Sequence, residues 1–394
     1  MATTPRHRDP LSSTHRPDDR PAVAGRDSRP NALQRLHVER GQSAWLDLLT
    51  RGALKDGSLS RLIADGIRGV TANPAALNNA IGDSPAYDEQ LSWLFSRGWS
   101  PDKAYLELAA TDVQAACALL LSTYDRSRGL DGLVSLGLPS DPSRRTQDAV
   151  VTACRFHRRV DRPNFVLAIP ATSNSIPVIR AMIAAGRSVN VTSIFSIDRY
   201  STVIEAYLSG LETFIGRDGD PASVHSVASF PLSMVDAAVD RRLERLGDVR
   251  ALELRGLSAV AQAKLAYRQF EEWFDSDRWS RLARAGANPQ RPLWTSSAPG
   301  HETRCVSPYV EDLAVPNSVH ALSESTVTAL LENGKALPSL GIDTRGAAGV
   351  LSELAAKGVD LRLVGAALEQ SSAATSRESF SRVLRRLATR RRDR

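Results

Sequence analysis

The stretch PNFVLAIPAT, at residues 163–172, indicates a short apolar strand that runs into a turn. Seven further segments of this kind are spread along the chain. All are short, rich in β-branched residues and bounded by Gly, Pro, Asp or Asn, which is the pattern of strands in a mixed α/β chain. The candidate strands are residues 43–49, 69–74, 133–138, 165–171, 189–195, 224–231, 291–297 and 318–323.

Amphipathic helices are predicted between these strands. In the helix that starts after Ser196, for example, Tyr200, Val203 and Tyr207 recur at helical spacing, and Ser196 can cap it. Alternation of strands and helices predicts a parallel sheet covered by helices, and eight repeats favour a closed (β/α)8 TIM barrel. A doubly wound sheet would require a glycine-rich phosphate turn after an early strand, and the sequence has none.

The chain ends differ in composition from the predicted barrel. Residues 1–37 form an Arg- and Pro-rich arm with little apolar content, which predicts disorder; residues 38–388 form the barrel, and residues 389–394 a basic tail. The formal charge of +6 and the pI near 9.5 come largely from these ends. Because no groove-reading motif accompanies the charge, the sequence argues against nucleic acid as a partner.

Composition also predicts the compartment. We find no apolar run of the roughly 18 residues that a membrane span needs and no signal peptide, so the sequence predicts a cytoplasmic protein without a membrane partner. Cys117, Cys154 and Cys305 are an odd number and far apart, which favours buried small hydrophobes over a disulfide framework or a metal site. Neither a metal nor a cofactor is predicted, and the oligomeric state stays open.

Polar residues lie at the carboxyl ends of several predicted strands, where barrel enzymes place their chemistry. Each alone could merely cap a helix or close a turn, but several on separate strands converge on one mouth. Strands three and four offer only Gly137 and Ala168 there, and His320 is interpreted as packing or capping. The polar strand-end residues are Asp47, Asn73, Asn190, Thr192, Ser229, Ser296 and Ser297.

Several blocks, in this order and spacing, closely resemble the long actinobacterial type of transaldolase. The resemblance covers about residues 38–387 and implies a class I aldolase-like barrel. The blocks are GQSAWLDLL, GIRGVTANPAALNNAI, AYDEQL, VDRPNFVLAIPAT, AGRSVNVTSIFSIDRYSTVIEAYLSGLE, SVASFPLSMVDAAVDRRL and QRPLWTSS.

The resemblance implies roles for individual positions. Asp47 takes the place of the general acid/base, Thr192 of the residue that orients the catalytic water, and Asn73, Asn190 and Ser229 of residues that hydrogen-bond the substrate. Ser296 is predicted as a further substrate-binding residue.

The reacting positions of the family are substituted. Ala168 stands where the family has its Schiff-base lysine, Gly137 where it has a glutamate, and Met234 where an arginine grips phosphate. Gly300 stands where the family usually has a lysine after strand seven. A Schiff base needs a primary amine, and the five lysines (Lys55, Lys103, Lys264, Lys335 and Lys357) are predicted on helices or loops.

These substitutions leave three hypotheses. In the first, the barrel is a repurposed enzyme without Schiff-base chemistry that acts on a weakly charged small molecule in specialised metabolism, since the lost cations would have bound phosphate. In the second, it is an inactive pseudo-transaldolase with a binding or scaffolding role. In the third, a relocated lysine sustains true sugar-phosphate transfer.

Overall fold

Eight parallel strands pair in chain order, and the eighth pairs with the first, in the computed structural model of residues 30–72, 74–137, 146–296, 308–334, 338–339 and 341–392. The predicted TIM barrel is therefore confirmed. The strands are β1 Gln42–Leu46, β2 Gly69–Thr71, β3 Leu133–Gly137, β4 Phe165–Pro170, β5 Val189–Thr192, β6 Ser226–Pro231, β7 Arg291–Thr295 and β8 Ser318–Leu322.

Helices occupy every described connection in the first half of the chain. A 3-10 turn, Pro85–Tyr87, lies between two of them. The helices up to β6 are α1 Ala32–Arg40, α2 Arg51–Lys55, α3 Ser58–Asp65, α4 Pro74–Asp83, α5 Asp88–Ser96, α6 Pro101–Arg126, α7 Thr146–Val160, α8 Ile176–Ala184 and α9 Ile197–Ile215.

The second half continues this alternation after a 3-10 turn at Pro221–Ser223. Local sequence fixes several starts: Ser196 accepts a hydrogen bond from the Arg199 backbone and so caps α9, as predicted. The remaining helices are α10 Leu232–Leu246, α11 Val249–Glu253, α12 Ser258–Phe274, α13 Asp277–Arg284, α14 Pro308–Asp312, α15 Glu324–Asn333, α16 Thr344–Ala356 and α17 Leu361–Arg392.

Large apolar side chains fill the inside of the barrel. Trp45 on β1 is fully buried there, and its register partner on β2 is Gly69. A Cβ atom at residue 69 would lie 2.5 Å from the Trp45 ring, so only glycine leaves room for the indole. The cluster that surrounds Trp45 consists of Leu133, Val166, Val227, Leu293, Val319 and Ala321.

An ion cluster closes the barrel at the amino ends of its strands. The Arg291 guanidinium donates to Ser43 Oγ at 3.0 Å, to the Leu130 carbonyl and to Asp131, and Arg68 Nε donates to Asp131 Oδ2 at 2.5 Å. Burial alone would raise the pKa of Asp131, but the charges of Arg291 and Arg68 outweigh it and the pKa is lowered.

Helix α6 corrects one expectation from composition. By length and composition alone it could span a membrane, although no apolar run was expected to reach that length. Of its most apolar window, 56% is buried within the fold. It also holds the buried Asp112, which accepts from Arg51 Nε at 2.7 Å and from Tyr87 Oη at 2.7 Å. A paired internal carboxylate indicates a core helix of the barrel.

The observed helices cross both predicted domain boundaries. The predicted arm ends at residue 37, yet α1 begins at Ala32 and buries Leu33 and Leu36 in the core. The predicted tail begins at residue 389, yet α17 continues to Arg392. Residues 1–29 lie outside the described part of the chain, so the disorder expected there stays a prediction.

Candidate active site at the barrel mouth

Strand register places the substituted positions next to one another inside the barrel. Gly137 pairs with Ala168, and Ala168 pairs with Asn190. Neighbours in a parallel sheet face the same side, and Ala168 lies two residues beyond the interior residue Val166. Ala168 is half-buried, and a Cβ atom at Gly137 would lie 3.6 Å from it, which is ordinary van der Waals contact. A Cβ atom therefore fits at residue 137, and only a methyl group stands at residue 168, where the family resemblance implies a glutamate and a lysine.

Three polar side chains form a continuous hydrogen-bond chain beneath this mouth. Ser229 Oγ donates to Asn190 Oδ1 at 2.7 Å, and Asn190 Nδ2 donates to Ser135 Oγ at 2.9 Å. All three are buried, with Asn190 only 1% exposed. The structure thus brings Asn190 and Ser229 together, as their strand ends indicated. Their side chains bond each other, which fixes the orientation of the Asn190 amide.

Sequence reasoning missed Ser135. It lies in the middle of LVSLG rather than at a strand end, where barrel chemistry is expected. Its signal was a single polar residue within an apolar strand, because a buried hydroxyl needs a partner. The partner of the Ser135 hydroxyl is the Asn190 amide, which donates a hydrogen bond to it.

The other predicted site residues lie around the rim. Asp47 follows β1 directly and is half-buried; its backbone N donates to the Leu322 carbonyl at 2.8 Å, which continues the ladder to β8. Thr192 is the half-buried last residue of β5. Ser296 lies just beyond β7, and Thr295 rather than Ser296 has the inward register of Leu293. Asn73, Ser297 and Gly300 lie outside the described residues.

Met234 lies in the first turn of α10, directly after β6. It is half-buried and packs against the main core. This turn is held by the buried Asp236, which accepts from Ser258 Oγ at 2.6 Å, the Ala259 backbone N at 2.8 Å and Tyr309 Oη at 2.7 Å. The backbone that carries Met234 is therefore fixed, and the thioether is neutral where the resemblance implies an arginine.

No lysine lies on any of the eight strands, and Arg291 is their only arginine, at the amino end of β7. The described lysines lie in or next to helices: Lys55 ends α2, Lys103 and Lys264 lie within α6 and α12, and Lys357 follows α16. Their predicted location is thus confirmed. Lys335 lies outside the described residues.

The described residues offer no metal site, and both described cysteines are at least half-buried. Among these residues, no three His, Cys, Asp or Glu side chains are grouped so that they could hold a metal ion. Cys117 is buried, which raises the pKa of its thiol to about 12, and half-buried Cys154 lies 3.7 Å from the Met182 sulfur. Cys305 is not among the described residues.

Fold and site together define a (β/α)8-barrel protein with carboxylate, amide and hydroxyl side chains near the carboxyl ends of its strands. Comparison with known proteins gives the family. Residues 44–387 match the family described as Transaldolase/Fructose-6-phosphate aldolase. The chain belongs to this transaldolase family.

Relatives in actinobacteria cover most of the chain. Transaldolase 1 of Streptomyces coelicolor is 43% identical over 304 residues, which are 77% of this chain and 80% of the relative. The transaldolase of Mycolicibacterium smegmatis is 39% identical over 346 residues, 87% of this chain and 93% of the relative. That of Mycobacterium tuberculosis is 38% identical over 347 residues, 87% and 93% respectively.

Proposed function

We propose that this transaldolase-family protein does not transfer carbon units through a lysine Schiff base and that its barrel mouth binds a weakly charged small molecule. The observation that supports the first part most directly is Ala168, which faces the mouth from β4 and has no amine. Imine formation requires a primary amine next to the substrate carbonyl. The absence of lysine from all eight strands supports the same conclusion.

Charge supports the second part of the proposal. Charge-assisted hydrogen bonds to phosphate contribute roughly 1.5–3 kcal/mol each. With Met234 in place of an arginine, and with no lysine and no arginine other than Arg291 within the eight described strands, a phosphorylated ligand would lose such bonds. A neutral or weakly charged ligand would instead contact amide, hydroxyl and thioether groups. Its chemistry and a place in specialised metabolism, in the cytoplasm, stay predictions.

A non-catalytic binding role is the second candidate, and one observation favours it. Asn190 and Ser229 are buried and hydrogen-bonded to each other and to Ser135, so barrel packing alone can account for their retention. In the enzymatic hypothesis, Asp47 is the acid/base and Thr192 positions a water molecule.

Borohydride trapping tests the proposal. With fructose 6-phosphate present, reduction is expected to leave the intact mass of this protein unchanged, because residue 168 has no amine and none of the described lysines lies on a strand. Transaldolase 1 of Streptomyces coelicolor, treated in parallel, is the control for the reagents. A reduced three-carbon adduct on this protein would contradict the proposal, and peptide mapping would then identify the relocated lysine.

Restoring the amine alone is expected to be insufficient. Ala168→Lys should leave transaldol transfer at least about 100-fold below the Streptomyces relative, because general acid/base catalysis contributes roughly 10²–10⁴-fold and Gly137 supplies no carboxylate. Ala168→Met, of similar length but without an amine, controls for steric effects. Adding Gly137→Glu and Met234→Arg to Ala168→Lys should raise the rate, and a Cβ atom at residue 137 makes only ordinary van der Waals contact. A fully active single variant would refute this description of the pocket.

A further inference from the structure

The last helix, α17, buries its two ends and leaves its middle accessible. Val364, Gly365 and Leu368 are buried near its start, and Val383 and Leu387 near its end. Between residues 369 and 382 no side chain is fully buried. A helix buried only at its ends bridges two supports rather than covering one continuous surface.

The first support is the turn that follows β5. A Cβ atom at Gly365 would lie 3.0 Å from the Phe195 carbonyl oxygen, so the helix touches this turn closely. In the first turn of α9, which follows this turn, Arg199 donates to Glu369 of α17 with both Nε, at 2.9 Å, and Nη2, at 3.2 Å. Because two guanidinium nitrogens donate to one carboxylate, the contact fixes the relative orientation of the two side chains in addition to attracting their charges.

A third contact extends the first support toward the site. Ser372 Oγ lies 3.5 Å from Ser193 Oγ, and Ser193 directly follows the predicted site residue Thr192. Ser193 has a positive φ of 59°, which is uncommon outside glycine. The helix therefore meets the barrel at its carboxyl rim, beside the candidate site.

The second support is α4, which begins after β2. Asn78 Nδ2 donates to Ser379 Oγ at 2.8 Å, and Tyr105 Oη donates to Asn78 Oδ1 at 2.8 Å. Phe380 packs edge-on against Tyr105, with ring centroids 5.1 Å apart. Arg386 adds an ion pair with Asp83 at 2.6 Å.

Barrel order places the helix between these supports over the substituted strands. The span from Ser372 to Ser379 is about 10 Å long at the helical rise of 1.5 Å per residue. It joins the rim at β5 to the helix after β2, and β3 and β4 lie between those strands. These two strands end at Gly137 and just beyond Ala168.

We propose that α17 is a strap across the barrel mouth and that the Arg199–Glu369 ion pair is its catch. The inference rests on the proposed function only in taking this mouth as the ligand site. The polar contacts at the two supports differ: the Arg199 and Glu369 side chains remain 21% and 17% exposed, whereas α4 and the neighbouring α6 hold α17 by the Asn78–Ser379 hydrogen bond, the Tyr105–Phe380 ring packing and the Arg386–Asp83 ion pair. Loss of the ion pair therefore loosens α17 from Glu369 to Ser372, while the buried Val364 and Leu368 and the α4 contacts stay in place, and this loosening controls entry to residue 168.

Thiol labelling measures this access without knowledge of the ligand. In an Ala168→Cys protein, the rate of alkylation by iodoacetamide is followed by mass spectrometry of the peptide that contains residue 168. Glu369→Ala or Arg199→Ala is expected to raise this rate about fivefold, as expected for the loss of one partly exposed ion pair. Exchanging the charges, with Arg199→Glu and Glu369→Arg together, should lower it again.

Two controls separate opening of the strap from unfolding. Arg268→Ala removes an exposed ion pair with Glu272 on α12 and should not change the rate. Buried Cys117 reports unfolding, and its alkylation should stay slow in every variant. Unchanged labelling at residue 168 in the catch variants, or parallel acceleration at Cys117, would overturn the proposal. Borohydride trapping tests the chemistry alone, so either proposal can fail while the other stands.

Discussion

Gly69→Ala is expected to lower the free energy of unfolding by about 3 kcal/mol, at the upper end of the cost of overpacking a core. The added methyl group would lie 2.5–2.7 Å from three atoms of the Trp45 ring. Trp45 has no room to retreat, because it is fully buried among the interior side chains of the other strands. Urea unfolding curves of the two proteins measure the difference.

Two further variants make this prediction specific. Gly349→Ala introduces the same methyl group on α16, where nothing lies within 4 Å, and should be neutral or stabilise by about 0.5–1 kcal/mol. Trp45→Leu should destabilise by about 3 kcal/mol, yet Trp45→Leu with Gly69→Ala should cost less than the sum, because the methyl group enters vacated space. Equal stability of Gly69→Ala and the parent would contradict the described packing.

This packing also bears on the candidate site. Asp47 lies two residues beyond Trp45, just after β1, so displacement of the indole would shift the carboxylate proposed as acid/base. Stability and site geometry are therefore linked through one strand. The pairing of the largest aromatic side chain with glycine depends on register between β1 and β2, which periodicity along a single segment does not reveal.

The eight strands were predictable from sequence because each is a short apolar segment between turn residues. The positions at which the strands end were not predictable from sequence. β2 stops at Thr71 and β5 at Thr192, although the predicted segments continue to residues 74 and 195. Side-chain pattern reports which residues can be buried, whereas a strand ends where its neighbour no longer supplies hydrogen-bond partners.

The polar mouth was predictable in part. Strand ends identified Asn190 and Ser229, which do meet, but the buried hydroxyl of Ser135 that completes their hydrogen-bond chain depends on contact across β4. The strap was missed for a different reason. A helix that crosses an opening needs no apolar stripe along its middle, so the periodicity of residues 369–382 gives no sign of α17's position.

Acidification is expected to destabilise the protein through histidines that are buried uncharged. Burial lowers the pKa of His320 from its usual 6.5 to about 3. Between these values the unfolded chain binds a proton that the folded protein excludes. The free energy of unfolding is therefore unaffected by protonation of His320 well above pH 6.5. It decreases as the pH falls below that value, by about 3 kcal/mol at pH 4 for His320 alone.

His320→Leu isolates this effect. It should flatten the decrease in unfolding free energy between pH 7 and pH 4, measured by urea unfolding at several pH values. At pH 7 it should also stabilise the protein by about 1–3 kcal/mol, because neither ring nitrogen of His320 has a hydrogen-bond partner among the described residues.

His225→Leu is the matched control for the hydrogen-bonding argument. Burial and, to a lesser extent, the charge of Arg291 lower the pKa of His225 to about 4, so its replacement should also flatten the pH dependence. Unlike His320, however, its Nε2 lies 3.3 Å from Tyr124 Oη, so His225→Leu should destabilise the protein at pH 7 by removing that hydrogen bond. If both leucine variants were more stable than the parent at pH 7, the presence of a hydrogen-bond partner would not explain whether replacing a buried histidine stabilises or destabilises the protein.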